Sequence, residues 1–318
     1  FINDIRSANA VSISNSRLFQ DLTDLKNTLE VKVADRTAEL QAAMEELEAV
    51  NEALTSTNRD LENAHRIAAL DMDMAVNVQR SMFPKRPPAV IGWDIAFEFR
   101  PMSGVSGDLY DFYTEAGALK GIALFDVSGH GIASGLITMI ARSVIHRNFF
   151  SGAGRRLGSI LDAIHKELVR ELDKVDNFLT GILLRIDGES VEYVNAAHPD
   201  LYIRRALSGS VRAVTSGDGA FKGSLLGINA IGQHAKALKF RMDEGDFLLL
   251  ASDCLFESQN AQGAEYWPEH LERAISDAPH ERAAEMLDYI LGDFRRFIGG
   301  KGVADDLTAI VLKRTGSA

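Results

Sequence analysis

Acidic residues recur in this chain where apolar runs end, and their types and spacing suit metal or turn chemistry. In Leu124-Phe-Asp-Val-Ser-Gly-His-Gly131 an apolar stretch, Ile122 to Phe125, drives into Asp126 and a small-residue turn before a second apolar segment opens at Ile132. That order reads as strand, acidic tip, glycine loop and helix. Aspartate is disfavoured inside strands, so a carboxylate where a buried strand opens suits a metal ion or a turn. Taken alone, Asp126 reads at least as well as an Asx turn or a helix cap. Three further places repeat the theme: Ser106-Gly-Asp-Leu-Tyr-Asp-Phe-Tyr113, Leu249-Leu-Ala-Ser-Asp253 and Ala304-Asp-Asp-Leu-Thr308. If these strand ends converge, carboxylates crowd together with no comparable cluster of Lys or Arg nearby in sequence. Crowded carboxylates repel one another, and a divalent cation relieves this best. All-oxygen ligation selects hard ions such as magnesium or manganese. A pair of such ions bridged by water would lower that water's pKa and clamp a phosphoryl group.

Other chemistries find less support. The eight histidines show no His-Glu-x-x-His spacing, which argues against a zinc protease. Neither a phosphate-binding P-loop nor a Gly-x-Ser-x-Gly elbow is present, and Cys254 has no recognisable catalytic setting. A formal net charge of -11 argues against a nucleic-acid surface, which needs a basic stripe. The single cysteine cannot form an internal disulfide, which fits a reducing compartment. No apolar run reaches the length of a membrane span, and the N-terminus lacks a basic-then-apolar signal layout. The expected location is therefore the cytoplasm, without a membrane segment in this chain.

Positioning the carboxylates requires strands that end together. Ile95, Phe97 and Phe99 alternate with other residues, and strand-like runs recur at 119–126, 180–186, 191–196, 201–205, 238–242, 246–252 and 307–313. Helical stretches fall at about 132–150, 157–174, 268–277 and 280–298. Many strands follow one another without an intervening helix, which predicts an α+β protein with antiparallel sheets and packed helices. Upstream, Leu18, Leu22, Leu25 and Leu29 follow 4-3-4 spacing, and Leu40, Leu47, Leu54 and Leu61 fall seven apart. Met44, Asn51, Asn58, His65 and Met72 take the other core position, giving a heptad repeat with leucine at d. The two frames join across 29, 33, 37 and 40, a four-residue step that locally unwinds a supercoil. Leucine at d with asparagine at a favours a parallel, in-register homodimer whose polar seam is weak enough to shift or separate. A plain dimerisation rod and a signal-transmitting one both fit. Helical periodicity continues through Ile67, Leu70, Met74 and Val78 and stops at Pro84, where Lys85-Arg-Pro-Pro88 makes a break.

The ordered set Ser106-Gly-Asp-Leu-Tyr-Asp111, Asp126-Val-Ser-Gly-His-Gly131, Asn195-Ala-Ala-His-Pro199, Leu226-Gly227, Ser252-Asp253 and Asp305-Asp-Leu-Thr308 resembles the SpoIIE-type branch of protein phosphatase 2C-like serine/threonine phosphatases. The resemblance covers roughly residues 90 to 314. Upstream, Val78-Gln-Arg-Ser-Met-Phe-Pro84 resembles the helix that joins such domains to a sensor-linked coil, and residues 8–19 resemble the last helix of a GAF sensor domain. The expected organisation is a sensor end at 1–17, a coiled-coil linker and switch helix at 18–86, and a phosphatase domain at 88–318. The chain would then be the output half of a longer signalling protein.

The resemblance implies an α-β-β-α sandwich that binds two manganese or magnesium ions and hydrolyses phosphoserine or phosphothreonine by direct water attack. Carried over by position, Asp126 bridges both metals and the Val127 carbonyl holds one. Asp253 and Asp305 bind the second, and Asp108 acts mainly through coordinated water. His130 is a candidate proton donor to the leaving group, or a loop residue. Asp111 is assigned to loop order, Asp306 to support of Asp305, and His198 to a structural turn. The substrate implied is a phosphorylated STAS-type anti-sigma antagonist. Three positions depart from the family pattern: Ser106, Ala197 and Cys254 stand where glycine is usual. Cys254 motivates an alternative, a catalytically degenerate binding module of the same fold.

Overall fold

The computed structural model describes residues 2–102, 104–129, 131–173, 175–216, 221–232, 235–300, 302–303 and 305–316. The chain divides into two compact units, 1–69 and 70–318. Helix α1 (Ile2–Met82) supplies the first and the opening of the second. It contains neither glycine nor proline, so nothing interrupts its hydrogen-bond ladder until Pro84 approaches. In the first unit the seam leucines are open to solvent, Leu40 64% exposed, Leu47 69% and Leu54 55%.

The second unit is a sandwich of two five-stranded sheets. The first has the order β1 (Trp93–Arg100), β10 (Leu307–Arg314), β9 (Phe247–Ala251), β6 (Tyr202–Arg204) and β7 (Val211–Ala213). The second has the order β2 (Asp108–Glu115), β3 (Ala118–Val127), β4 (Leu179–Asp187), β5 (Ser190–Ala196) and β8 (Leu238–Arg241). Every pairing between named strands is antiparallel. Helices α2 (Ile132–Ser151) and α3 (Leu157–Glu171) pack on the second sheet. Helices α5 (Glu269–Asp277) and α6 (Ala283–Ile298) pack on the first, and the short α4 (Asp253–Glu257) follows β9 directly. This is the α-β-β-α arrangement expected.

The continuous apolar runs of β9 and β10 follow from burial on both faces. Leu248, Leu250, Ile310 and Leu312 enter the core that includes the space between the sheets. Their neighbours Phe247, Leu249, Ala309 and Val311 enter a second core with α5 and α6. Strand β2 escapes the sequence pattern because Asp108 and Asp111 interrupt its apolar alternation, yet most of its residues are buried.

The end of α1 docks onto this sandwich by a face of which the apolar periodicity marked only Met72. Leu70, Met74 and Val78 are exposed. The inward positions are instead Met72, Val76, Gln79 and Phe83, spaced 4-3-4, with the first two half-buried and the last two buried. Phe83 packs edge-on against Phe99 and beside Tyr110, with ring centroids 5.4 and 5.5 Å away. Tyr110 Oη donates to the Pro84 carbonyl at 2.7 Å.

Candidate active site

The register of β2 and β3 sets Asp108 directly opposite Asp126. Opposed residues of an antiparallel pair share a face with Cβ atoms about 5 Å apart, and like charges there repel. That face looks across the sandwich, because Thr308 Oγ1 on β10 donates to Asp108 Oδ2 at 2.5 Å. On the other sheet, the end of β9 lies beside the start of β10. Ser252 N donates to Thr308 O, and Thr308 N returns a bond to Ser252 Oγ, both at 2.9 Å. Asp253 and Asp305 flank these two residues in sequence and therefore occupy the same end. The four acidic segments meet at one rim of the crevice between the sheets.

The environment opposes unscreened charge at this rim. Burial first, and then the Asp126 charge, hold the Asp108 carboxyl well above the usual carboxylate range. Burial, with repulsion from Asp253, Asp305, Asp306 and Glu257, pushes Asp126 up to about 8. Burial and Asp305 push Asp253 up to about 6. Among the described residues no Lys or Arg forms an ion pair with Asp108, Asp126, Asp253 or Asp305. Among the described residues, therefore, no side-chain cation compensates this charge.

The donor set fits a hard divalent ion. Gly107 is packed so closely that a Cβ there would stand 2.9 Å from the Val127 carbonyl oxygen and 3.1 Å from that of Gly129. Only glycine lets this loop close over those oxygens. Among the described residues no three carboxylate, imidazole or thiolate side chains converge into a ready-made cage. Magnesium-type sites need only one or two carboxylates per ion, with carbonyls and water completing the shell.

The remaining expected residues are distributed as follows. His130 lies outside the described residues. Asp111, three positions from Asp108 on one strand, faces away from the rim and pairs with Arg142 of α2 at 2.9 Å, so it fixes a helix rather than a loop at the rim. Asp306 accepts from Met102 N at 2.6 Å and Gly107 N at 2.7 Å, while its own N–H donates to Asp305 Oδ1 at 2.8 Å. It therefore holds the loop leading into Asp108 as well as Asp305. His198 is buried between Thr180 Oγ1 at 2.8 Å and the Ala251 carbonyl at 3.2 Å. Burial lowers its pKa to about 3, the state of a neutral structural imidazole.

The three departures from glycine have local accounts. Ser106 Oγ accepts from Asp108 N at 3.0 Å. Cys254 is buried in the outer core with α5 and α6, where burial raises its thiol to about 12. Ala197 adopts φ 52°, the left-handed conformation a glycine reaches with less strain.

Gln79 is the residue that sequence reasoning missed. Its amide nitrogen donates to Ser106 O at 2.8 Å and Thr138 Oγ1 at 3.0 Å, and its oxygen accepts from Ser106 N at 2.9 Å. A buried helix-end glutamine thus grips the segment two residues before Asp108, and α2 as well. The 4-3-4 spacing through 72, 76, 79 and 83 was the available signal.

This sandwich is the fold of the PP2C phosphatases. It superimposes on the SiaA-PP2C domain of Pseudomonas aeruginosa with a TM-score of 0.67 at 19% identity, covering 80% of this chain and 99% of that one. The catalytic domain of the serine/threonine phosphatase PstP of Mycobacterium tuberculosis, solved with two manganese ions, matches with a TM-score of 0.51 at 16% identity over 70% of this chain and 99% of that one. The family described as Stage II sporulation protein E (SpoIIE) matches residues 119–315, and the chain belongs to that family. The helix compared above with a GAF sensor lies outside the matched residues. Phosphoserine phosphatase RsbP of Bacillus subtilis is 35% identical over 32% of this chain, and phosphoserine phosphatase RsbU of the same organism is 25% identical over 77%. The chain spans about a quarter of RsbP (26%) and 70% of RsbU.

Proposed function

We propose that this chain is a metal-dependent serine/threonine phosphoprotein phosphatase regulated through its N-terminal helix. The observation that carries this reading is the convergence of Asp108, Asp126, Asp253 and Asp305 without a basic partner among the described residues. Asp126, the Val127 carbonyl, Asp253 and Asp305 would hold two manganese or magnesium ions, with Asp108 as a further carboxylate at the rim. Bound there, the ions supply a water of lowered pKa and a clamp for phosphoryl oxygens. Thr308 orients the Asp108 carboxylate, and Asp306 and Gln79 fix the loop that carries it. In the hydrolysis a water oxygen would bond to phosphorus as the bond from phosphorus to the seryl or threonyl oxygen breaks, and the water's two protons would end one on the departing alcohol oxygen and one on the released phosphate. His130 is the proton donor we assign from the family pattern.

The substrate class we assign is a phosphoserine- or phosphothreonine-bearing protein, and the family resemblance favours a STAS-domain anti-sigma antagonist. Two relatives named phosphoserine phosphatase support the reaction type. The degenerate-module alternative rested on Cys254, whose buried thiol packs in the outer core and gives it no support. Hydrolysis of p-nitrophenyl phosphate with manganese, lost in Asp126→Asn and Asp253→Asn, tests the assignment. Unchanged rates in both variants would sink it.

The exposed leucine seam supports a homodimer through a parallel coiled coil, because an uncovered apolar stripe of this length calls for a partner helix. Leu47→Asp with Leu54→Asp should convert the dimer to monomer by analytical ultracentrifugation. A mass unchanged by that double substitution would place the contact elsewhere. Among the described residues no helix is long and apolar enough to cross a membrane.

A further inference from the structure

One helical turn from the carboxylate rim lies a cavity of about 500 Å³ with an aromatic floor. The rings of Tyr202, Phe256 and Trp267 follow one another, with centroids 6.3 and 6.5 Å apart. Trp267 Nε1 donates to Tyr202 Oη at 2.6 Å, so the indole is held in one orientation although it is 45% exposed. A large ring that is fixed yet open presents a surface for contact.

The cavity walls are charged and unequal in sign. The one cation among its lining residues, Lys222, is engaged by Asp200 Oδ2 at 3.2 Å and the His198 carbonyl at 3.1 Å. Glu257 and Glu265 are exposed and have no basic partner among the described residues. A tight loop presents Glu265 and Trp267, with Asn260 Oδ1 accepting from Gln262 N and Ala264 N at 3.0 Å each. Two free carboxylates above a fixed aromatic floor select an organic cation. Arginine suits it better than lysine, because a guanidinium stacks flat on a ring and forks onto carboxylates.

Position joins the cavity to the chemistry. Glu257 closes α4, and Asp253 opens it. The Glu257 charge is felt at both Asp126 and Asp253. We propose that this cavity is a substrate subsite for an arginine side chain near the phosphorylated residue, seated on Trp267 and held by Glu257 and Glu265. The proposal rests on the phosphatase reading above and narrows its substrate class.

The test compares phosphoserine decapeptides with a single arginine, lysine or alanine at successive positions on either side of the phosphoserine, using the full chain with manganese. Arginine at one position should raise kcat/KM about fivefold over alanine, an effect of the size of a partly exposed cation–π contact, and lysine should raise it less. Glu265→Gln and Trp267→Ala should each bring that ratio towards one. Ratios within twofold at every position in the parent, or a ratio retained in both variants, overturn the subsite. The same peptides with alanine in place of phosphoserine, titrated by fluorescence polarisation, carry the comparison without any turnover, and equal affinities for arginine and alanine peptides there also overturn it. Turnover of p-nitrophenyl phosphate by the parent is the separate control. Its absence, alongside a binding preference for arginine, would defeat the phosphatase reading and leave the cationic subsite standing.

Discussion

Replacing Asp126 with asparagine should stabilise the metal-free chain at high pH, and the size of the effect follows from the rim. Folding sets Asp126 opposite Asp108 and near Asp253 and Asp305, and burial with their repulsion pushes its carboxyl up to about 8. An unfolded aspartate ionises near pH 4. Between these values the folded chain holds a proton that the unfolded chain has released. This group's contribution to stability is therefore complete below about pH 4 and is lost as pH rises to 8. A fully retained proton gives a slope of about 1.4 kcal/mol per pH unit, a ceiling of about 5 kcal/mol over the window. Water reaching a half-buried carboxylate reduces that to roughly 2–3 kcal/mol.

His198 acts in the opposite sense. Its pKa is lowered to about 3 by burial, so between pH 3 and 6.5 the unfolded chain takes a proton that the folded chain refuses. Stability then rises with pH, and the two slopes offset one another below 6.5. The difference between variant and parent cancels His198 and leaves Asp126 together with its repulsion of the neighbouring carboxylates, Asp108 foremost. Scanning calorimetry of the full chain in chelator should show a small difference in Tm at pH 4.5, widening to about 5–10 °C in favour of Asp126→Asn at pH 8. Manganese should reverse the order, because it stabilises only the chain that binds it. A difference independent of pH, or a parent still more stable than the variant in chelator at pH 8, would refute the placement of Asp126 among uncompensated carboxylates.

Gln79→Ala strands the Ser106 N–H and carbonyl, which should cost about 2–3 kcal/mol, while the Thr138 hydroxyl keeps its own bond to the Gly135 carbonyl at 2.7 Å. Hydrogen exchange should quicken around Ser106 to Asp108 and the manganese midpoint for turnover should rise, whereas unaltered exchange there would remove Gln79 from the path to the rim. Arg142→Leu leaves the buried Asp111 carboxylate without its partner, at about 3 kcal/mol near pH 7. That loss should shrink as pH falls and Asp111, whose carboxyl burial already raises, takes up a proton, and a pH-independent loss in urea titrations would mean that packing, not charge, sets the cost.

The strands most plainly legible in the sequence are those buried on both faces, although the alternating run at 95–99 and the half-exposed 238–242 were also read as strands. Phe247 to Ala251 and Ala309 to Leu312 present unbroken apolar runs because each strand feeds two cores. Strand β2 was hidden by its own chemistry, since Asp108 and Asp111 occupy positions that an apolar pattern would fill. The acidic segments were legible as a set, yet the partition of labour within it was not. Asp306 and Asp305 are adjacent in sequence, but one is buried with two backbone donors and the other is exposed at the rim. Asp111 and Asp108 differ by an odd number of strand positions, which sends them to opposite faces. Only the pairing register and the loop contacts separate these roles, and neither is written in local composition. Gln79 was passed over for a related reason: although it stands in the 72, 76, 79, 83 register, a polar residue on a long helix reads as solvent-facing until a partner for its amide is known.

That partner explains why regulation is assigned to α1. Gln79 binds Ser106, and Ser106 in turn holds the Asp108 backbone, while Asp306 grips the intervening Gly107. The same amide reaches Thr138 on α2, a helix whose preceding residue, Gly131, belongs to the Asp126 loop. One side chain therefore touches both segments that lead to the opposed carboxylates. A rotation of α1 by a single residue turns its faces by about 100°, enough to withdraw Gln79 and present Val78 or Arg80 instead. Neither can replace both the donor and the acceptor that Ser106 requires, since valine offers no polar atom and arginine accepts nothing. On the proposed regulation, an inactive arrangement would need no rearrangement of the sheets. Losing one buried amide would leave the Asp108 loop without its upstream anchor, which is how the proposed regulation would reach the rim carboxylates.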